Sequence, residues 1–140
     1  AVKTNGERQV LDVLAANGVT CFDVASPQEI ADVRAAAPKA EMIYMHPVKA
    51  QSHIRDALHR DKIRTLALDH EDELTKIHRI VQALDIDPGS VTLYVRLQTK
   101  GHAAYMRSSF CSGLNGLATR PGYASMSAAR LRIRRPMTRH

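Results

Sequence analysis

The sequence predicts an α/β protein of repeated strand and helix units, either part of a (β/α)8 barrel or a doubly wound sheet. Short β-prone apolar runs at Val19 to Asp23, Met42 to Met45, Thr65 to Asp69 and Val91 to Leu97 begin about 22 to 26 residues apart. That interval holds one strand, one helix and two short loops. The longer segments between the runs carry apolar residues at helical spacing, so the strands are predicted to be parallel and joined by crossover helices. A third observation is chemical. Lys3, Asp23, His46, Asp69 and Arg96 stand at or near the C-terminal ends of the predicted strands, the edge where both folds gather their active sites.

Taken in order, Ala1 to Lys3 reads as the end of a strand that begins earlier. Glu7 to Ala16 places Val10, Leu11, Val13 and Leu14 on one side of a helix, and Asn17-Gly18 supplies a left-handed stop. Ser26-Pro27-Gln28-Glu29 opens the second helix with a capping residue, a proline at the first helical position and a glutamate at the third. Val48 to His59 is the third helix. Glu71 to Leu84 is the fourth, with Asp69 as its cap and Asp87-Pro88-Gly89 beyond its end.

The net charge of +6 on 140 residues is unevenly distributed. Residues 1–100 hold 13 Lys and Arg against 14 Asp and Glu, whereas residues 101–140 hold seven Arg, no Lys and no acid. A uniformly basic nucleic-acid-binding domain is therefore disfavoured, and only the tail invites that reading. No apolar run approaches the ~18 residues of a membrane span. Cys21 and Cys111 lack the spacing of a zinc site or a disulfide framework. The histidines show no HExxH pattern, and neither a P-loop nor GxGxxG occurs. The expectation is a soluble, cytoplasmic protein with no metal, no nucleotide cofactor, no nucleic-acid partner and no membrane partner. Lys49, Lys62 and Lys76 read as ordinary solvated charges.

Several separated blocks resemble the fold-type III pyridoxal-phosphate (PLP) dependent decarboxylases of the ornithine/diaminopimelate/arginine group. They are Ala1-Val2-Lys3-Thr4-Asn5, Phe22-Asp23-Val24-Ala25-Ser26 with Glu29-Ile30, and Ile43-Tyr44-Met45-His46-Pro47-Val48-Lys49. Leu68-Asp69, Glu73-Leu74 and Leu93-Tyr94-Val95-Arg96-Leu97 follow in the family's order. Thr4 and His46 depart from the commonest family residues, where Cys, Ala or Ser and Asn usually stand. The resemblance implies a partial (β/α)8 TIM barrel of the alanine racemase/ornithine decarboxylase type over residues 1–100, covering about strands two to five. It implies Lys3 as the catalytic lysine that binds PLP as a Schiff base, with Asp23, His46 and Arg96 around the cofactor. Glu29 matches too, but its capping position already accounts for it.

The implied activity is that of a PLP-dependent carboxy-lyase acting on a small amino acid. Ornithine, or lysine and ornithine, leads, which points to polyamine (putrescine) biosynthesis and a homodimeric parent enzyme. Diaminopimelate decarboxylase and a non-catalytic PLP-binding homologue are the alternatives. The chain as it stands is expected to be inactive.

Residues 101–140 read as a basic, disordered tail that is out of frame. Read from the third base of each codon, with permitted codon choices, residues 122–140 can spell a string containing FHVGSQ, similar to the family's next strand. The slip then falls between about Lys100 and Gly122.

Overall fold

The computed structural model describes residues 1–96 and, beyond them, the backbone of four strands at 99–100, 103–104, 117–119 and 128–133. Strands β1 (Cys21–Val24), β2 (Glu41–Tyr44), β3 (Thr65–Leu68) and β4 (Thr92–Arg96) alternate with helices α1 (Arg8–Ala16), α2 (Pro27–Ala36), α3 (Gln51–His59) and α4 (Glu71–Ala83). The four strands lie in chain order and all pair in parallel. This is the strand and helix repeat that the apolar spacing predicts.

Strand alternation separates two faces. Phe22, Val24, Met42, Tyr44, Leu66, Leu68, Leu93 and Val95 are buried in one cluster with residues of all four helices. Each such side chain contributes roughly 1.5–3 kcal/mol on removal from water. The opposite face carries Asp23, Ile43, Thr65 and Thr92 at one level, because each is the register partner of the next. Helices cover the first face, and the second is the face that a closed barrel turns inward.

Local signals explain most boundaries. The Ser26 hydroxyl accepts from the Glu29 amide at 3.2 Å, and the Glu29 carboxylate accepts from the Ala25 amide at 2.8 Å, one residue before the position a standard capping box uses. Gly18 adopts φ 84°, a left-handed conformation that costs glycine little, and stops α1. Asp85 does the same after α4 at φ 51°. Beyond it, Asp87 caps a short 3₁₀ turn at Pro88–Ser90 by accepting from the Gly89 amide.

Four expectations need correction. Val2–Thr4 forms a 3₁₀ turn rather than a strand end. Its amide bonds run locally, from Thr4 to Ala1 and from Asn5 to Val2, instead of into a ladder, and buried Val2 anchors it beside β1. Helix α3 starts at Gln51, not Val48, because Ala50 is extended at φ −62° and ψ 148° and its carbonyl accepts the first helical bond, from the Ile54 amide. The cap of α4 is His70, whose Nδ1 accepts from the Asp72 amide at 3.2 Å, and not Asp69. Finally, the expected tail contains strands. β5 (Thr99–Lys100) pairs with β6 (Ala103–Ala104), and β7 (Leu117–Thr119) pairs with β8 (Ala128–Ile133). β8 also pairs antiparallel with β4, from Thr92↔Arg132 to Arg96↔Ala128. In the sequence of β8, Arg130 and Arg132 alternate with Leu131 and Ile133, the period of two that a strand requires. The rest of 101–140, including the stretch expected to contain the frame slip, lies outside the described residues.

Leu66 is fully buried at the centre of the sheet, whereas Val13 on α1 is 61% exposed. Leu66→Ala is expected to lower unfolding free energy by roughly 2–5 kcal/mol, and Val13→Ala to change it by less than about 0.5 kcal/mol. Urea titration followed by circular dichroism measures both.

Candidate functional site

Parallel pairing brings the C-terminal ends of β1 to β4 to one edge, and most of the singled-out residues cluster there. Asp23 is the third residue of β1 and half-buried on the face away from the helices. Arg96 ends β4 and is exposed. It shares a face with Asp23, lying four residues beyond Thr92, which is level with Asp23 across the sheet. Three strand spacings of ~4.8 Å separate β1 from β4, about 14 Å across a flat sheet, so the two flank the face without touching. His46 lies two residues past β2 and is exposed. Lys3 is exposed in the 3₁₀ turn beside β1.

Beneath this edge lies a group of charges that the sequence reading missed. Lys49 is 3% exposed, and its Nζ lies 2.9 Å from Glu73 Oε1. The ammonium also donates to the carbonyls of His46 at 2.9 Å and Ala67 at 2.6 Å, and it sits 5.8 Å from the centre of the Tyr44 ring. Glu73, also 3% exposed, receives the Lys49 amide on Oε1 and the Lys76 ammonium on Oε2. Lys76 in turn donates to the Lys49 carbonyl at 2.6 Å. Lys49 and Lys76 are therefore not solvated surface charges; Lys62 is the exposed one of the three.

Burial pushes the Lys49 ammonium below its ordinary pKa, and the bond to Glu73 opposes that shift. For Glu73, burial works against ionisation, but the hydrogen bonds from Lys49 and Lys76 outweigh it and hold the carboxyl below its usual range. Burial also raises the Tyr44 phenol, helped by the negative charges of Glu29 and Glu73.

The description "pyridoxal-dependent decarboxylase, pyridoxal binding domain" belongs to a family model that matches residues 1–116. The chain belongs to this family. Ornithine decarboxylase of Neurospora crassa is 32% identical over 131 residues, covering 87% of this chain and 25% of the relative. Among solved structures, lysine decarboxylase from Selenomonas ruminantium superposes with a TM-score of 0.57 at 27% identity, covering 74% of this chain and 26% of that one. Diaminopimelate decarboxylase from Helicobacter pylori, complexed with L-lysine, gives 0.55 at 26% identity, with 61% and 22% covered. The chain thus spans about a quarter of the length of these pyridoxal-dependent decarboxylases, and its four parallel β/α units are part of their TIM-barrel domain.

The donor set of Lys3, Asp23, His46 and Arg96 fits the family's cofactor in kind. An exposed primary amine can attack an aldehyde, a carboxylate can hold a cation, an imidazole can lie against an aromatic ring, and a guanidinium can pair with an anion. Among the described residues no group of three or more His, Cys, Asp or Glu could hold a metal ion, and no helix is long and apolar enough to cross a membrane.

One signal could have exposed the buried triad. Glu73 and Lys76 are three residues apart on a helix, and Lys49 stands three residues after His46 in a turn, but only the fold puts the two segments together. A carboxyl with a depressed folded pKa adds stability above its unfolded pKa and loses it as the pH falls through the folded value. Stability is therefore expected to fall as the pH drops below about 4.5, the ordinary value for a glutamate. Glu73→Gln should be less stable at neutral pH and lose less on acidification. Urea midpoints between neutral pH and about pH 3 measure the difference, and equal slopes for the two proteins would contradict it.

Proposed function

We propose that this chain is the cofactor-binding portion of a PLP-dependent amino-acid decarboxylase, with ornithine, or lysine and ornithine, as substrate. The family match from residue 1 to residue 116 carries the reading, because it includes every residue assigned to the site. In this proposal Lys3 binds PLP covalently through its amine, which is exposed and hence open to a carbonyl. Asp23 holds an ammonium group or receives a proton at its carboxylate. The His46 ring lines the cofactor, and the Arg96 guanidinium holds an anionic group at the far side of the face. When bound, PLP supplies the electron sink that makes loss of an α-carboxylate feasible.

Ornithine is favoured by the Neurospora crassa relative, and lysine by the Selenomonas ruminantium neighbour. A carboxy-lyase of this kind would act on ornithine as a cytoplasmic homodimer that feeds polyamine synthesis. The tail is proposed to be out of frame, a reading supported by the acid-free composition of 101–140 and by the end of the family match at residue 116, inside the 100–122 window.

Borohydride reduction in the presence of PLP tests the lysine assignment. In a protein continued in the family's frame beyond Lys100, the pyridoxyl label is expected on the peptide containing Lys3, and Lys3→Ala is expected to abolish it. A label on Lys49 or Lys76 with Lys3 unmodified would overturn the assignment.

A further inference from the structure

We propose that Lys49 is a positioning residue for His46: by clamping the turn after β2, it holds the imidazole as a fixed Nε2–H donor at the strand edge. The inference rests on the reading that this edge binds the cofactor, and it adds a residue outside the set proposed to touch it.

An ammonium has three protons, and Lys49 spends them on the His46 carbonyl, the Ala67 carbonyl and Glu73 Oε1. A lysine so saturated is not a free nucleophile. Two of its acceptors are backbone carbonyls, one in the turn after β2 and one in β3, so the side chain ties that turn to the neighbouring strand. Lys76 and Glu73 fix the same stretch from the α4 side, through the Lys49 carbonyl and amide. Within the clamped turn, His46 Nδ1 accepts from the Val48 amide at 3.2 Å. A ring nitrogen that accepts carries no proton, so the proton of the neutral ring resides on Nε2.

His70 provides an internal comparison. It follows β3 as His46 follows β2, and its Nδ1 accepts from the Asp72 amide at the same 3.2 Å, although Asp72 Oδ2 also lies 3.2 Å from that nitrogen. There α4 begins at the next residue, and the His70 carbonyl accepts from the Leu74 amide, so the helix itself holds the turn. After His46 the helix begins only at Gln51. The intervening Pro47, Val48, Lys49 and Ala50 have no helical scaffold, and the Lys49 clamp takes its place. Stability alone accounts poorly for such a buried ion pair, since apolar replacements are often as stable.

The test is ¹⁵N NMR of the 140-residue chain with labelled histidine at about pH 8.5, where an ordinary imidazole is neutral. His46 is expected to show a single tautomer with the proton on Nε2, whereas His70, whose Nδ1 also faces Asp72 Oδ2, serves as the reference for changes confined to the turn after β2. Lys49→Met combined with Glu73→Gln removes both buried charges and leaves only Lys76, the partly exposed member of the network, charged. In that variant His46 is expected to average over both tautomers while His70 is unchanged. A His46 that keeps its single tautomer in the folded variant, or lacks it in the unmodified chain, would overturn the proposal. If the variant does not fold, the unmodified chain decides the matter by itself. Slowly exchanging Lys49 ammonium protons and a scalar coupling across the Val48 to His46 hydrogen bond are then expected, and their absence would count against the clamp. None of these readouts needs cofactor, so they can fail while Lys3 is labelled by PLP, or hold while it is not.

Discussion

Parallel pairing is the constraint from which the rest of this molecule follows. Strands that run the same way cannot be joined by hairpins, so each connection must cross back over the sheet, and a helix is the compact way to do so. With β1 to β4 in chain order, the crossovers put the start of every strand-to-helix turn on a single edge. Polar residues in those turns escape the cost of burial and become neighbours in space although they are more than twenty residues apart in sequence. The backbone delivers Asp23, His46 and Arg96 of the proposed site to the same border in this way.

The second requirement is that the turns hold their shape. Leu66, Leu93 and their buried neighbours fix the strands by packing, but the turn after β2 extends past the apolar core and has no helix of its own until Gln51. A buried ammonium resolves this by offering three hydrogen bonds from one atom. It is tolerable in that position only because Glu73 supplies the opposite charge and Lys76 shares the carboxylate. Structure and proposed function meet at this network, which bonds to the backbone of His46, a residue of the proposed site.

The helices and strands of residues 1–96 were legible because each carries a local cause: apolar period, the Ser26 and Glu29 cap, the Gly18 stop. Boundaries were less legible where a distant partner intervened. The start of α3 moved from Val48 to Gln51 because the Lys49 carbonyl, which a helix from Val48 would use as an acceptor, bonds to the Lys76 ammonium on another helix. The cap of α4 passed from Asp69 to His70 because the ring nitrogen of His70 accepts the Asp72 amide. β8 was read as tail because arginine richness dominates its composition, although its alternation suits a strand, and it pairs between β4 and β7.

By itself the sequence determined the α/β class, the parallel direction of the strands, the family, and that Asp23, His46 and Arg96 would reach the strand ends. These depend on short-range periodicity and on blocks of residues whose spacing is preserved along the chain. Only the tertiary structure decided that Lys49 is buried rather than solvated, that Lys3 lies in a 3₁₀ turn, and that Asp23 and Arg96 flank a face instead of meeting. A lysine is buried or exposed according to the acceptors around its ammonium. Those of Lys49 come from the turn after β2, from β3 and from α4, and no local pattern records that they converge.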